Sequence, residues 1–265
     1  MSWLVAPFSF LGGGRKYSLE LLVVGSGATA KLAGGGGGGQ VISASLLADS
    51  LTRYVIQVPP SYSLSESEIN LSHHTRIFRG DSDALFSAAP GESRPAGNFA
   101  GGRSYTIAVG QGTFFGGVGY ALGNPVAAYA GGGGAGNSSG GSSAFLQGNR
   151  WYAGNGGNGV TISSDLQTVL GYSVLGSGGA GAVAGSTGVD GNSVTDNGSP
   201  GSGGGPANGN ATSYGSGGGG NYGVGKRGVV VVSYPGTRAG EGGDFVVAHN
   251  GKTFHVFTSN GELQL

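Results

Sequence analysis

The sequence predicts a mainly β fold: short strands joined by long glycine-rich loops, with little or no α-helix. Three observations carry the prediction. Apolar residues arrive as short alternating or continuous runs bounded by glycine, the pattern of strands, and not as stripes at helical spacing. Glycine supplies 62 of the 265 residues, more than three times the ~7% of average usage. With only 9 prolines and irregular glycine spacing, a collagen helix, which needs glycine at every third position, is excluded.

The first element is Tyr17–Val24, YSLELLVV, in which Tyr17, Leu19, Leu21 and Val23 share one face. It runs into GSGATAKLAGGGGGG, so that Gly25, Gly27 and Ala30 occupy the positions of a dinucleotide-binding fingerprint. That fingerprint requires a helix after the turn, and Gly34–Gly39 prevents one, since each interior glycine costs a helix about 1 kcal/mol relative to alanine. The stretch therefore reads as a strand entering a glycine-rich turn. Further strands are expected at Leu51–Val58, Tyr105–Val109, Val160–Ser163, Gly228–Tyr234, Phe245–Ala248 and Thr253–Thr258. GVVVVSY is apolar on both faces, which marks a central or sandwiched strand.

Four regions follow from composition. Residues 1–49 hold N-terminal strands entering a glycine-rich domain, 50–99 form a glycine-poor and more charged insertion, 100–236 make a glycine-rich body, and 237–265 form a C-terminal strand segment. The glycine runs at Gly131, Gly176 and Gly198 could be flexible coil or packed polyglycine II helices with three residues per turn. Fixing a glycine costs about 0.5–1 kcal/mol more than fixing an alanine, so ordering them all costs on the order of 30–60 kcal/mol extra. Order requires many such segments side by side with paired backbones. The regular return of strands between the runs predicts that order.

The 13 basic and 13 acidic residues balance, and no cysteine is present. A nucleic-acid footprint, disulfides and thiolate metal sites are accordingly not expected. The N-terminus MSWLVAPFSFLGGGRK lacks the basic start of a signal peptide, and no apolar run approaches the ~18 residues of a membrane-spanning helix.

Chemistry-bearing patterns are sparse. His73 and His74 are adjacent, and neighbours on a strand point apart. His255, between Phe254 and Val256, is expected to face solvent. Asp81 and Asp83 lack an acid–base partner, Arg79-Gly80-Asp81 and the sequons at Asn137, Asn197 and Asn210 are short matches without context, and no nucleophile elbow occurs. No catalytic residue, cofactor or metal is therefore expected. Aromatic residues interleave with the glycine runs instead. Tyr120, Tyr129, Trp151, Tyr152, Tyr172 and Tyr214 must either pack at the edge of a glycine layer or serve as contacts to sugars or protein loops.

LELLVVGSG, GGRSYTIAVGQG at Gly101–Gly112, NYGVGKRGVVVVSYPG at Asn221–Gly236 and GKTFHVFTSNGELQL at Gly251–Leu265 together resemble the glycine-rich domain of tail-fibre and receptor-binding proteins of tailed bacteriophages. The resemblance covers most of the chain outside 50–99. It implies a virion protein of the tail that contacts a bacterial surface receptor, polysaccharide or outer-membrane protein, alongside other tail proteins and as a homotrimer. The alternative class is a glycine-rich structural protein of a cell wall or matrix, or an ice-binding one. One departure stands out, because the strand of the TFHVFT type lies after the closing VVVVSY strand instead of before Leu19. Phe254–Leu265 is therefore expected to join a sheet built around Leu19–Val24, within the chain or swapped into a neighbour.

Overall fold

The computed structural model describes residues 16–31, 33–50, 52–64, 66–80, 84–93, 102, 104–105, 113–114, 120–122, 128–130, 134, 136, 138–147, 150–184 and 209–265. Its larger strands are β1 (Lys16–Val24), β2 (Val41–Asp49), β3 (Arg53–Gln57), β4 (Thr75–Arg79) and β5 (Ala84–Ala88). Short strands follow as β6 (Ser104–Tyr105), β7 (Thr113–Phe114), β8 (Tyr120–Leu122), β9 (Ala128–Ala130), β10 (Phe145–Gln147), β11 (Arg150–Tyr152) and β12 (Val160–Thr161). Helix α1 (Ser164–Leu170) precedes β13 (Val174–Leu175) and β14 (Val183–Ala184), and the chain ends with β15 (Val229–Pro235), β16 (Phe245–His249), β17 (Lys252–Phe257) and β18 (Gly261–Gln264). The fold is mainly β, and its sheets are antiparallel.

Two sheets face each other. The first has order β16-β17-β15-β1-β2 and the second β18-β3-β4-β5. Leu19, Leu21 and Val23 of β1 and Val230, Val232 and Tyr234 of β15 meet Tyr54, Ile56, Ile77 and Leu263 from the opposite sheet in one core. The alternate residues Leu22, Val24, Val229, Val231, Phe254 and Val256 enter a second core with Ile162, Leu170 and Leu175. Thus β15 is buried on both faces, as its unbroken apolar run requires. The glycine-poor stretch supplies β3, β4 and β5, whose side chains belong to the first core.

The C-terminal strand reaches the expected sheet within the same chain, though not as a direct partner of β1. β17 pairs with β15, which lies between them, and β18 pairs with β3 in the other sheet. His255 corrects the solvent-facing expectation, because it is fully buried. Both faces of β17 are covered, so alternation there does not separate inside from outside. Several elements lie outside the strands expected from the sequence, namely β4, β5, β7 to β11, β13 and β14 as well as two larger departures. β2 is a nine-residue strand, and α1 is a two-turn helix started by Ser163 and ended by Gly171 at φ 76°. Beyond Tyr105, the expected strand at Tyr105–Val109 lies outside the described residues, as do Asp81 and Asp83.

Where strands leave the sheets, they continue as glycine-rich segments without losing register. Val24 faces Val41 across β1 and β2, and beyond it the Gly25 N–H donates to Gln40 O at 2.8 Å, the Ala28 N–H to Gly37 O at 2.9 Å, and Lys31 bridges Gly34. Likewise Val24 faces Val229, and then Gly27 donates to Lys226 O at 2.8 Å and Ala30 to Gly223 O at 2.9 Å. Each partner is now met every third residue, the repeat of polyglycine II. Gly34–Gln40 lies at the centre and is bonded to five neighbours, one of them Gly102, whose N–H donates to Gly35 O at 2.8 Å. Gly36 donates to Gly218 O, Gly37 to Glu92 O, and Gly36 O and Gly37 O accept from Gly179 and Ala28. Gly178 and Gly181 extend the network to Gly157 and Gly154, again three apart.

Glycine is needed here for close approach. A Cβ on Gly36 would stand 2.2 Å from Ala28 O, and one on Gly179 1.9 Å from Gly218 O. Neither residue has a positive φ. The described glycine segments are therefore packed and hydrogen-bonded, which satisfies buried backbone groups that no sheet ladder reaches.

Candidate recognition surface

The aromatic positions divide into two groups. Tyr120 and Tyr129 lie on β8 and β9, with Tyr129 opposite Ala121 and Ala184. Trp151 and Tyr152 lie on β11, opposite Leu146 and Phe145 of β10, and β11 runs beside β9. The sequence thus brings the backbones bearing Tyr129 and Trp151–Tyr152 to one place. The side chains of Tyr120, Tyr129 and Trp151 lie outside the described part. Tyr152 is half-buried and stacks on Phe145, with centroids 4.8 Å apart and planes 6° from parallel. Phe145 is itself 51% exposed, so the pair presents an aromatic surface to solvent.

Tyr172 and Tyr214 form a separate pair. Their rings meet edge to face at 5.5 Å and pack on the second core, and the Lys226 ammonium stands 5.8 Å from the Tyr214 ring. Burial raises the Tyr214 hydroxyl pKa above its ordinary value, with the neighbouring Tyr172 adding to the shift. This pair fastens the α1 region to the glycine bundle, whose Gly176 N–H donates to Tyr214 O at 3.1 Å.

Histidines take structural places. His73 Nδ1 accepts from the Asn70 N–H at 3.1 Å while Asn70 Oδ1 accepts from the Ser72 N–H, closing a short 3₁₀ turn. His74 Nδ1 lies 2.9 Å from Ser87 Oγ, and burial foremost, then the Arg76 charge, lowers its pKa.

His255 is part of a fully assigned network. Tyr234 Oη accepts from the Ala239 and Gly240 N–H groups, each at 3.0 Å. Its own proton therefore points to His255 Nε2, 2.8 Å away. The other ring nitrogen faces Gly242 O at 2.8 Å and must carry the proton. The ring is neutral, and burial lowers its pKa. Among the described residues no group of three or more His, Asp or Glu side chains is placed to hold a metal ion.

Comparison of the chain with protein-family models, with curated proteins and with solved structures finds no match.

Proposed function

We propose that the chain is a non-enzymatic tail-fibre or tail-tip protein of a tailed bacteriophage, carried in the virion and presented at the host surface. The observation that carries this reading is the glycine bundle. It continues directly from β1, β2 and β15, is bonded mainly through backbone with a few serine, threonine and asparagine side chains joining in, and has the short hairpin β10–β11 and strands β8 and β9 set between its segments. Such a scaffold holds loops firmly without dictating their side chains, which is what a surface that must match a receptor needs. Together with the motif resemblance, it supports a role in adsorption. Its partners are then a surface polysaccharide or an outer-membrane protein, other tail proteins, and two further copies of the chain in a homotrimer.

Tyr129, Trp151 and Tyr152 are the leading contact residues, since their strands adjoin and Tyr152 with Phe145 forms an open aromatic surface. The test is binding of the purified chain to whole bacterial cells, in competition with surface polysaccharide and with outer-membrane protein. Alanine at both Trp151 and Tyr152 should weaken binding by about 2 kcal/mol or more, the scale of an aromatic hot spot, while leaving the melting temperature unchanged. Unaltered binding by the folded double variant would remove these residues from the contact surface.

A further inference from the structure

On its outer side the first sheet forms one wall of a groove of about 380 Å³, whose other wall is the segment from β12 into α1. Strand register fixes what the sheet presents there. Ser45 of β2 lies opposite Glu20 of β1, Glu20 opposite Ser233 of β15, and Ser233 opposite Phe254 of β17. The adjoining row on the same face runs Ser43, Leu22, Val231. The accessible floor is thus Ser43, Ser45 and Glu20, beneath which Ser233, Leu22 and Val231 are buried. Lys252 donates to both Glu20 carboxylate oxygens, at 2.7 and 2.9 Å. Asp165 borders the groove, its Oδ1 accepting from Asn250 Nδ2 at 2.7 Å.

We propose that this groove binds a neutral pyranose sugar. A pyranose has an apolar C–H face and a rim of hydroxyls, and the groove sets the partly exposed Val160 and Leu166 across from the hydroxyls and carboxylate of Ser43, Ser45 and Glu20. Neighbouring strands stand about 4.7–4.9 Å apart, close to the separation of alternate equatorial hydroxyls on one ring, so Ser45 and Glu20 can each meet a different hydroxyl. Carboxylate oxygens accept hydroxyl protons, and the Lys252 ammonium and the serines can donate. The Glu20 and Lys252 charges cancel, and Asp165 adds a negative charge at the border, so acidic sugars are disfavoured. The volume lies near the lower end of the ~300–1,000 Å³ of small-molecule sites, enough for one or two rings. This site is distinct from the aromatic strands, and it stands or falls independently of the tail-fibre reading.

The experiment is amide NMR titration of the full chain with the methyl glycosides of glucose, galactose, mannose and N-acetylglucosamine at millimolar concentrations, with glucuronate as the acidic comparison. At least one neutral glycoside should give saturable shifts at residues 43–45, 161–165 and 252–254, and glucuronate weaker ones. Ser45→Leu, at an exposed strand position, should fill the groove and abolish the shifts. Glu20→Gln should weaken them about tenfold, the loss of one charged hydrogen bond. The proposal is overturned if no neutral glycoside saturates, if glucuronate binds more tightly, or if the shifts persist unchanged in folded Ser45→Leu.

Discussion

Replacing Gly36 by alanine should destabilise the protein by about 3–5 kcal/mol, a large effect for one methyl group. The added Cβ would stand 2.2 Å from Ala28 O and 3.0 Å from Ala28 C. Ordinary contact begins at 3.4 Å, so the two segments must separate by roughly 1 Å or more, by the steepness of van der Waals repulsion. Ala28 cannot yield freely. Its N–H donates to Gly37 O at 2.9 Å and its carbonyl accepts from Gly218 at 3.0 Å, while Gly36 itself donates to Gly218 at 2.8 Å. Breaking two or three such buried bonds costs about 1–3 kcal/mol each. The lower chain entropy of unfolded alanine returns about 0.4–1 kcal/mol.

The control is Gly171→Ala, at the end of α1. That glycine has φ 76° and open space around its missing Cβ, so the cost is confined to the left-handed backbone, about 1–2 kcal/mol. Backbone angles alone would rank Gly171 as the sensitive position and Gly36 as the tolerant one; packing reverses the order. Chemical denaturation of both variants measures it, with Gly36→Ala also lowering the melting temperature by roughly 10 °C. Equal stability of Gly36→Ala and the parent, or a larger loss at Gly171→Ala, would refute the close-packed bundle.

Further outcomes follow from the same geometry. Amide hydrogen exchange at Gly36, Gly37, Gly39 and Gly218 should be as slow as in β1 and β15, because each N–H is bonded inside the bundle; exchange within seconds would mean coil. Lowering pH from 7 toward 5 should reduce stability, because His255 and His74 have native pKa values below the ordinary one. As pH falls through the unfolded pKa of about 6.5, the unfolded chain takes up protons that the native one refuses, at up to about 1.4 kcal/mol per pH unit for each histidine; a flat or rising stability over that range would contradict the neutral Tyr234–His255 network. Deleting Lys252–Leu265 removes a strand from each sheet and the buried Phe254, Val256, Phe257, Leu263 and Leu265. At about 1.5–3 kcal/mol per side chain the loss rivals the ~5–15 kcal/mol of a whole domain, so circular dichroism should show no cooperative melt; a folded truncated monomer would mean these strands are dispensable.

Much of the sandwich was legible because its strands are written in β-branched and aromatic residues. YSLELLVV, VVVVSY and TFHVF announce themselves, and the burial of β15 on both faces follows from its composition. β2 did not, since VISASLLAD is diluted by serine and alanine and draws its position from pairing with β1 along its whole length. The α1 signals were present in Ser163 and Gly171 but sat among strand-like neighbours. For the aromatic residues, sequence gave their setting among glycines. Only the folded register separates Tyr172 and Tyr214, which pack on a core, from Tyr152, which stacks on an exposed Phe145. The groove was not visible at all, because its polar floor is assembled from Ser43, Ser45 and Glu20, which come from two strands.

A glycine segment has no side chain with which to specify its own alignment, and glycine-rich pairings are prone to slip. Here the alignment is inherited. The partners Gly25–Gln40 and Ala28–Gly37 continue the β1–β2 register, and Gly27–Lys226 and Ala30–Gly223 continue that of β1–β15. The apolar faces of Leu19, Leu21, Val23, Val230 and Val232 fix those registers, because a shift by one residue would turn every core side chain to the wrong face. The information that orders the bundle therefore resides in the sandwich, and the bundle adds satisfied backbone bonds along a path already set. Substitutions in the first core should loosen the bundle even at a distance. The loop between Gly136 and Gly157 carries local pins of its own, Ser139 Oγ and Ser142 Oγ accepting from the Asn158 and Asn155 N–H groups, so that its remaining positions have the greater freedom to vary with whatever surface the protein must meet.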